Sequence, residues 1–277
     1  DGRPPVRGGH DNRAAPDGPL DPLVRGFRLE RHGAPPIAVA SFACHAVARG
    51  RSSAISADYP GRVCALLEAR GFRPIYWNGL CGDIDPLPCE EAARDARLEA
   101  FAQAIVSAYE AAQRPCPLSV SGGRLPWRLR LLPVTRSEIR DTAKQAVARA
   151  ADPGARRVAR IWEREMLESF DALADTEALS IAWLRLGGVP VVALPFEGFT
   201  RTGLLIREAL GDPQALVLGC AEELLGYLPT RDDIERKAYA ALESSFLYKR
   251  LPALAGEAER LGADLGGLLA AAENSQR

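Results

Sequence analysis

The sequence predicts a layered α/β fold, with mixed β-sheets flanked by helices. Three observations carry this. Ile37 to Ala43 is an almost unbroken apolar run, the pattern of a strand buried on both faces. Ser180 to Leu186 and Val189 to Leu194 flank Gly187-Gly188, the signature of two strands joined by a tight turn. Amphipathic stretches of helical period lie between such strands, so that some strands are adjacent and others are separated by helices.

Taken in order, residues 1–22 are rich in Gly, Pro, Arg and Asp and read as an extended, loop-like arrival. Val24 to Glu30 and Ile37 to Ala43 make two strands around a turn at Gly33-Ala34-Pro35-Pro36. Pro60 to Arg70 is a helix with proline near its first turn. Arg73 to Trp77 is a short strand, followed by the glycine-studded polar turn Asn78-Gly79-Leu80-Cys81-Gly82-Asp83-Ile84-Asp85-Pro86. Residues 89–113 form a long helix with Leu98, Phe101, Ile105 and Tyr109 on one side. Trp127, Leu129 and Leu131 alternate with Arg128 and Arg130, a half-exposed strand. Thr135 and Glu138 have capping-box spacing, and two charged helical stretches follow to about residue 173, as a surface excursion from the sheet. Phe199 to Leu210 is a helix and Ala215 to Gly219 a strand. Thr230 and Asp233 suit a helix cap, and the chain ends in helix with a polar tail after Ala272.

The 277 residues suffice for one large domain or a domain and a half. Basic and acidic residues, 35 and 36, nearly cancel and are spread throughout, which excludes the basic footprint of a nucleic-acid binder. No apolar run reaches the ~18 residues of a membrane span. No charged segment leads into an apolar one, so no signal peptide is read and a cytoplasmic location is expected, although a start at Asp1 allows a preceding region to have been lost. Cys44, Cys64, Cys81, Cys89, Cys116 and Cys220 are scattered without a CxxC pair. They read as mostly reduced, buried small hydrophobes, with a Cys81–Cys89 bridge as the alternative.

Three polar side chains stand where a strand gives way to a loop. They are His45, closing Ser41-Phe42-Ala43-Cys44; Glu197, in Pro195-Phe196-Glu197-Gly198-Phe199-Thr200; and Tyr227, in Gly226-Tyr227-Leu228-Pro229-Thr230. Their nitrogen and oxygen donors suit zinc, and three protein ligands plus water is the usual open catalytic arrangement. A tyrosinate ligand requires loss of a proton with a free pKa near 10, which the metal's charge can drive.

The same stretches resemble the neutral ceramidases and their bacterial relatives. Asn12-Arg13 followed by Asp17-Gly18-Pro19-Leu20-Asp21-Pro22 is similar to the family's Asn-Arg segment and its Asp-Pro entry to a strand. Phe42-Ala43-Cys44-His45 resembles the stretch with a zinc-binding His, and Ser56-Ala57-Asp58-Tyr59-Pro60-Gly61 the segment after it. Gly82-Asp83-Ile84-Asp85-Pro86 resembles a Gly-Asp-x-Ser-Pro turn, and Pro195-Phe196-Glu197 a Pro-Gly-Glu turn whose Glu binds zinc. Tyr227 falls at a zinc-binding Tyr and Tyr239 at a second Tyr that contacts the substrate amide. The family's earlier His-rich motif has no counterpart, since His10 and His32 lie in other contexts, and its C-terminal immunoglobulin-like domain is missing. Asp85 stands where ceramidases carry the serine assigned as nucleophile.

The resemblance implies that residues 1–277 are the C-terminal, larger part of one ceramidase-like catalytic domain. The N-terminal part, with another ligand, is then absent or on a companion chain. It implies a zinc-dependent amidohydrolase acting on a small N-acyl or other amide compound, with zinc on His45, Glu197 and Tyr227. Asp85 would act as general base or orient the water, or else only form the turn before Pro86. Arg13 would bind a substrate carboxylate or oxyanion, or form a surface ion pair. Tyr239 would donate to the carbonyl, or pack its ring. A non-catalytic binding subunit with an incomplete metal site is the alternative, and a metal-dependent esterase or peptidase a third reading.

Overall fold

The computed structural model describes residues 10–12, 18–50, 54–111 and 114–275. The chain opens with β1 (His10–Asn12), inside the stretch read as loop, and continues through β2 (Arg25–Leu29), β3 (Ile37–Phe42), α1 (Asp58–Ala69) and β4 (Arg73–Asn78). β2 and β3 pair antiparallel and β4 joins β3 in parallel, giving a three-stranded sheet in the order β2-β3-β4. Then come β5 (Ile84–Pro86), antiparallel to β1, and α2 (Arg94–Ala111). β1 escaped sequence reading because its strand character comes from the distant partner β5, not from any local pattern.

The second half supplies β6 (Val120–Arg130), α3 (Arg136–Arg149), α4 (Pro153–Glu168), β7 (Thr176–Leu186) and β8 (Val189–Ala193). They are followed by β9 (Glu197–Gly198), α5 (Thr200–Ala209), β10 (Leu216–Leu218), β11 (Tyr227–Leu228), α6 (Arg231–Glu235), α7 (Glu243–Leu247) and α8 (Glu257–Asn274). The second sheet runs β10-β8-β7-β6, with β8 and β10 parallel and the rest antiparallel. Gly187 and Gly188, both at positive φ, turn the predicted hairpin between β7 and β8. β9 and β11 form a separate parallel pair.

Strand periodicity sorts the core into layers. Ala38, Ala40 and Phe42 of β3 face Tyr59, Val63 and Leu67 of α1 and Leu98, Phe101 and Ile105 of α2. Val39, on the opposite face, joins Phe27, Val191, Leu216 and Leu218 in a seam between the two sheets. Leu125, Trp127, Leu129, Ile181, Trp183 and Val192 turn the other way, toward Ile206 of α5 and Leu261, Leu265 and Leu269 of α8. The order is therefore helices, first sheet, second sheet, helices, as the sequence predicted in outline. No helix among the described residues is long and apolar enough to cross a membrane.

Several local expectations are refined. The Thr135–Glu138 capping box is present at α3. The helical pair α3–α4 is more than a surface excursion, because Ile139, Trp162 and Met166 enter the main core while the arginines stay outside. Thr230 does stand at the N-cap of α6, but its hydroxyl donates to the Asp233 carboxylate at 2.5 Å and caps no backbone amide. All six cysteines are free, as expected; Cys116 and Cys220, however, are exposed rather than buried.

α8 is anchored to β6 by Glu257, whose side chain is fully buried. Its oxygens accept from the Arg130 backbone N–H at 2.9 Å, from Arg130 Nε at 2.8 Å and from Arg260 Nε at 3.0 Å. Burial pushes this carboxyl up, but the bonds from Arg260 and Arg130 outweigh it and hold the group below the ordinary carboxylate value. A depressed folded-state pKa contributes stability that is complete above the unfolded value, near 4.3, and is lost as pH falls through the folded one. Glu257→Gln should therefore cost about 1–3 kcal/mol at neutral pH, because it removes the charge to which Arg130 and Arg260 hydrogen-bond. It should also shrink the loss of stability below about pH 4 in urea titrations. Parallel acid profiles for wild type and variant would count against this account.

Candidate functional site

The polar side chains singled out in the sequence cluster at the carboxyl ends of the two parallel strand pairs, β3–β4 and β8–β10. Crevices outside the carboxyl ends of strands are where open α/β sheets usually bind ligands. His45 lies three residues beyond β3, and its backbone N–H donates to the Ile84 carbonyl at 2.9 Å. Cys220 lies two residues beyond β10, and both it and Glu222 have positive φ in the segment that leads to β11. Glu197 and Tyr227 are direct partners in the β9–β11 pair, and Glu197 N donates to the Gly226 carbonyl at 2.9 Å.

These constraints bring His45 Nε2 to 3.5 Å from Glu197 Oε2, with both side chains only 12% exposed. The Tyr227 ring stands edge-on to His45, with centroids 6.2 Å apart, and Phe199 and Tyr239 stand edge-on to Tyr227 at 6.3 and 6.2 Å. Tyr239 occupies a one-turn 3-10 helix and is half exposed, at the open side of this ring cluster. The structure thus brings side chains from four separate segments near one another.

The turn between β4 and β5 forms the floor. Sequence alone reads it as polar, yet Leu80, Cys81, Gly82, Asp83 and Ile84 are all buried. Gly82 donates to the Gly198 carbonyl at 2.9 Å, and a side chain at Gly82 would meet the Glu197 carbonyl oxygen at 2.4 Å, so only glycine fits against β9. Asp83 reaches out of its own turn to α5. Its Oδ1 accepts from the Thr200 N–H at 2.8 Å and hydroxyl at 2.9 Å, capping the first turn of α5. Asp85 is half-buried in β5, one residue after the carbonyl that accepts from His45. Arg13 lies outside the described residues.

The far side of His45 is held by Cys81 and Asn78, which carry no local signature of that role. Cys81 Sγ lies 3.6 Å from His45 Nδ1 and 3.1 Å from the Asn78 amide. With that amide turned so that its NH2 donates to the Cys44 and Phe42 carbonyls at 3.1 and 3.3 Å, its oxygen faces the thiol. Cys81 then donates to Asn78, and its sulfur stands beside His45 Nδ1 while His45 Nε2 faces Glu197. Tyr59 donates to the Cys44 carbonyl at 2.6 Å and fixes the strand end just before His45. Burial pushes the Cys44 thiol far up, with Cys81 and Asp85 adding to the effect, so Cys44 is structural rather than nucleophilic. Tyr248, also unforeseen, donates to Glu197 Oε1 at 3.0 Å; burial, then Glu197, raise its pKa and keep it a proton donor.

The donor pair fits a zinc ion on distance. An ion bound tetrahedrally at ~2.0–2.2 Å to one nitrogen and one oxygen holds them about 3.3–3.5 Å apart, and His45 and Glu197 stand at 3.5 Å. Among the described residues no three His, Cys, Asp or Glu side chains form a metal-binding group, so Tyr227 would have to provide the third protein donor.

No family model matches the sequence, and no curated protein matches it. Solved structures do. The fold is similar to that of a neutral ceramidase from Pseudomonas aeruginosa, with a TM-score of 0.67 and 14% identity over 99% of this chain and 52% of that one. It is also similar to a ceramidase complexed with C2, with a TM-score of 0.65 and 12% identity over 98% of this chain and 53% of that one. The chain thus spans about half the length of the ceramidases it matches. The likeness establishes the fold: mixed sheets flanked by helices, arranged as in ceramidases.

Asp83 offers a test of how the floor of the site is built. Asp83→Ala should cost about 2–3 kcal/mol, the range for lost hydrogen bonds to a buried charged group. Hydrogen exchange should show the first turn of α5 opening before the rest of that helix. Unchanged protection at Thr200 would mean that the carboxylate does not hold it.

Proposed function

We propose that this chain carries the metal centre of a zinc-dependent amidohydrolase that cleaves an amide bond in a small N-acyl or other amide compound. The observation that supports this most directly is the His45–Glu197 pair, at tetrahedral donor spacing and beside Tyr227, in a fold shared with ceramidases. His45 Nε2, Glu197 Oε2 and the Tyr227 oxygen would hold the ion. Zinc, when bound, would polarise the substrate carbonyl and lower the pKa of a water.

The chain's own groups divide the remaining work. The Asp85 carboxylate is the base that takes the proton from the attacking water. Tyr239, half exposed at the open side of the ring cluster, donates its hydroxyl proton to the carbonyl oxygen as charge develops there. Arg13 binds a substrate carboxylate or the oxyanion. With Asp85 in place of the ceramidase serine, a small amide rather than a long-chain sphingolipid is the expected substrate class.

The site would be completed by further polypeptide, as an N-terminal region of the same domain or as a companion chain, supplying another ligand. Among the described residues, β2 is the outer strand of its sheet. A groove of about 930 Å³ runs along it, floored by Phe27, Leu29, Leu186 and Leu216 and flanked by Arg28 and Arg114. An added strand would pair with that edge and cover the groove. The competing reading is a binding subunit of the same fold with an incomplete metal site. It draws on the absence, among the described residues, of any group of three His, Cys, Asp or Glu side chains that could hold a metal.

Metal analysis of the purified protein, with and without any co-purifying polypeptide, separates the two. Wild type should hold zinc, and His45→Ala should lose most of it together with all amide hydrolysis. Full zinc occupancy in His45→Ala removes the ligand assignment, and a zinc-free, inactive wild type favours the binding subunit. Asp85→Asn should keep the metal but lower turnover about 10²–10⁴-fold, the range for loss of a general base. Near-normal turnover would leave Asp85 as a turn former only.

A further inference from the structure

Glutamate has three rotatable side-chain bonds, so a carboxylate that must present one chosen oxygen to a neighbour needs something to hold the other. In Glu197 the two oxygens are divided. Oε2 stands 3.5 Å from His45 Nε2, and Oε1 accepts from the Tyr248 hydroxyl at 3.0 Å. Tyr248 follows α7 and comes from a part of the chain that contributes none of the candidate ligands.

Tyr248 is itself firmly placed. Its ring lies on Gly226, where an added Cβ would come within 2.6 Å of the ring carbons. Gly226 also has φ +86°, a conformation that disfavours any side chain, and its carbonyl accepts from the Glu197 N–H at 2.9 Å. One glycine therefore seats both the backbone of Glu197 and the ring of the residue that holds its side chain. Two residues on, Arg250 donates to the Leu225 carbonyl at 2.5 Å and pairs with Glu177 of β7 at 2.8 Å, which ties the segment to the second sheet.

We propose that Tyr248 is a positioning residue for the candidate metal centre, fixing the Glu197 carboxylate so that Oε2 faces His45. Its functional meaning rests on the zinc reading above, but its geometry does not. Hydrogen-bond partners of metal-ligating side chains orient those ligands, and their removal typically weakens metal binding about 10–100-fold.

Tyr248→Phe keeps the ring on Gly226 and removes only the hydroxyl. Two measurements test it. Chelator competition should show zinc affinity about 10–100-fold weaker than in wild type. Imidazole 15N shifts of the metal-free protein should show His45 displaced, a signal readily assigned by its loss in His45→Ala because the chain has only 3 histidines. His45 signals matching wild type overturn the proposal whatever the zinc result, and so does unchanged affinity in a protein that binds zinc. A displaced His45 signal in a protein that takes up no zinc upholds the positioning role and removes the zinc reading instead.

Discussion

The geometry of the site depends on main-chain hydrogen bonds made by one buried turn, Asn78 to Ile84. Gly79 donates to the Phe42 carbonyl at the end of β3, and Gly82 to Gly198 in β9. Asn78 accepts from Gly219 beyond β10, and Ile84 from His45. Phe42, Gly79, Gly82, Ile84 and Gly198 are buried, and an unpaired buried amide or carbonyl costs about 1–3 kcal/mol. The loops that carry His45 and Glu197 are therefore not free to drift, and a short bridge between Gly79 and Leu218 locks the two sheets at the same point. Side-chain chemistry is laid over a backbone framework that is already satisfied.

Charge inside the molecule is handled separately from the site. Asp21 lies between Arg25 at 2.8 Å and Arg207 at 2.9 Å, and all three side chains are at most 9% exposed. Burial, opposed by Asp21, brings the Arg207 pKa down to about 10, so Arg207 remains charged at neutral pH. Removing Asp21 would leave two buried cations facing each other, the costly way to break such a group. The triad joins β2 to α5, so the helix whose first turn is capped by Asp83 is tied at a second point to the first sheet.

Much of the fold could be read from the sequence because local signals and tertiary context agree there. The apolar run of β3, the Gly187-Gly188 turn and the Thr135–Glu138 box each specify structure within a few residues. β1, the first half of β6 and the buried character of the 78–86 turn could not be read that way. Polar and glycine-rich residues look the same in a solvated loop as in a buried one whose main chain is paired elsewhere. The candidate site divides along the same line. His45, Glu197 and Tyr227 each stand where a recognisable strand gives way to a loop, Tyr239 is marked by the resemblance alone, and the structure brings the four side chains together. Tyr248 and the Asp83–Thr200 contact carry no local signature, since their partners lie 51 and 117 residues away.

The parallel pairing of β9 with β11 also bears on how the molecule is built in time. Parallel neighbours cannot be made by a hairpin, and this pair is only two residues long, separated by α5 and β10. Such a contact has too little pairing energy to form ahead of the elements around it, and closing a long loop for so short a ladder is entropically uphill. Glu197 and Tyr227 therefore meet only after the second sheet and α5 have condensed. The donor cluster is a product of folding rather than its nucleus, and substitutions within it should alter unfolding rates while leaving folding rates nearly unchanged.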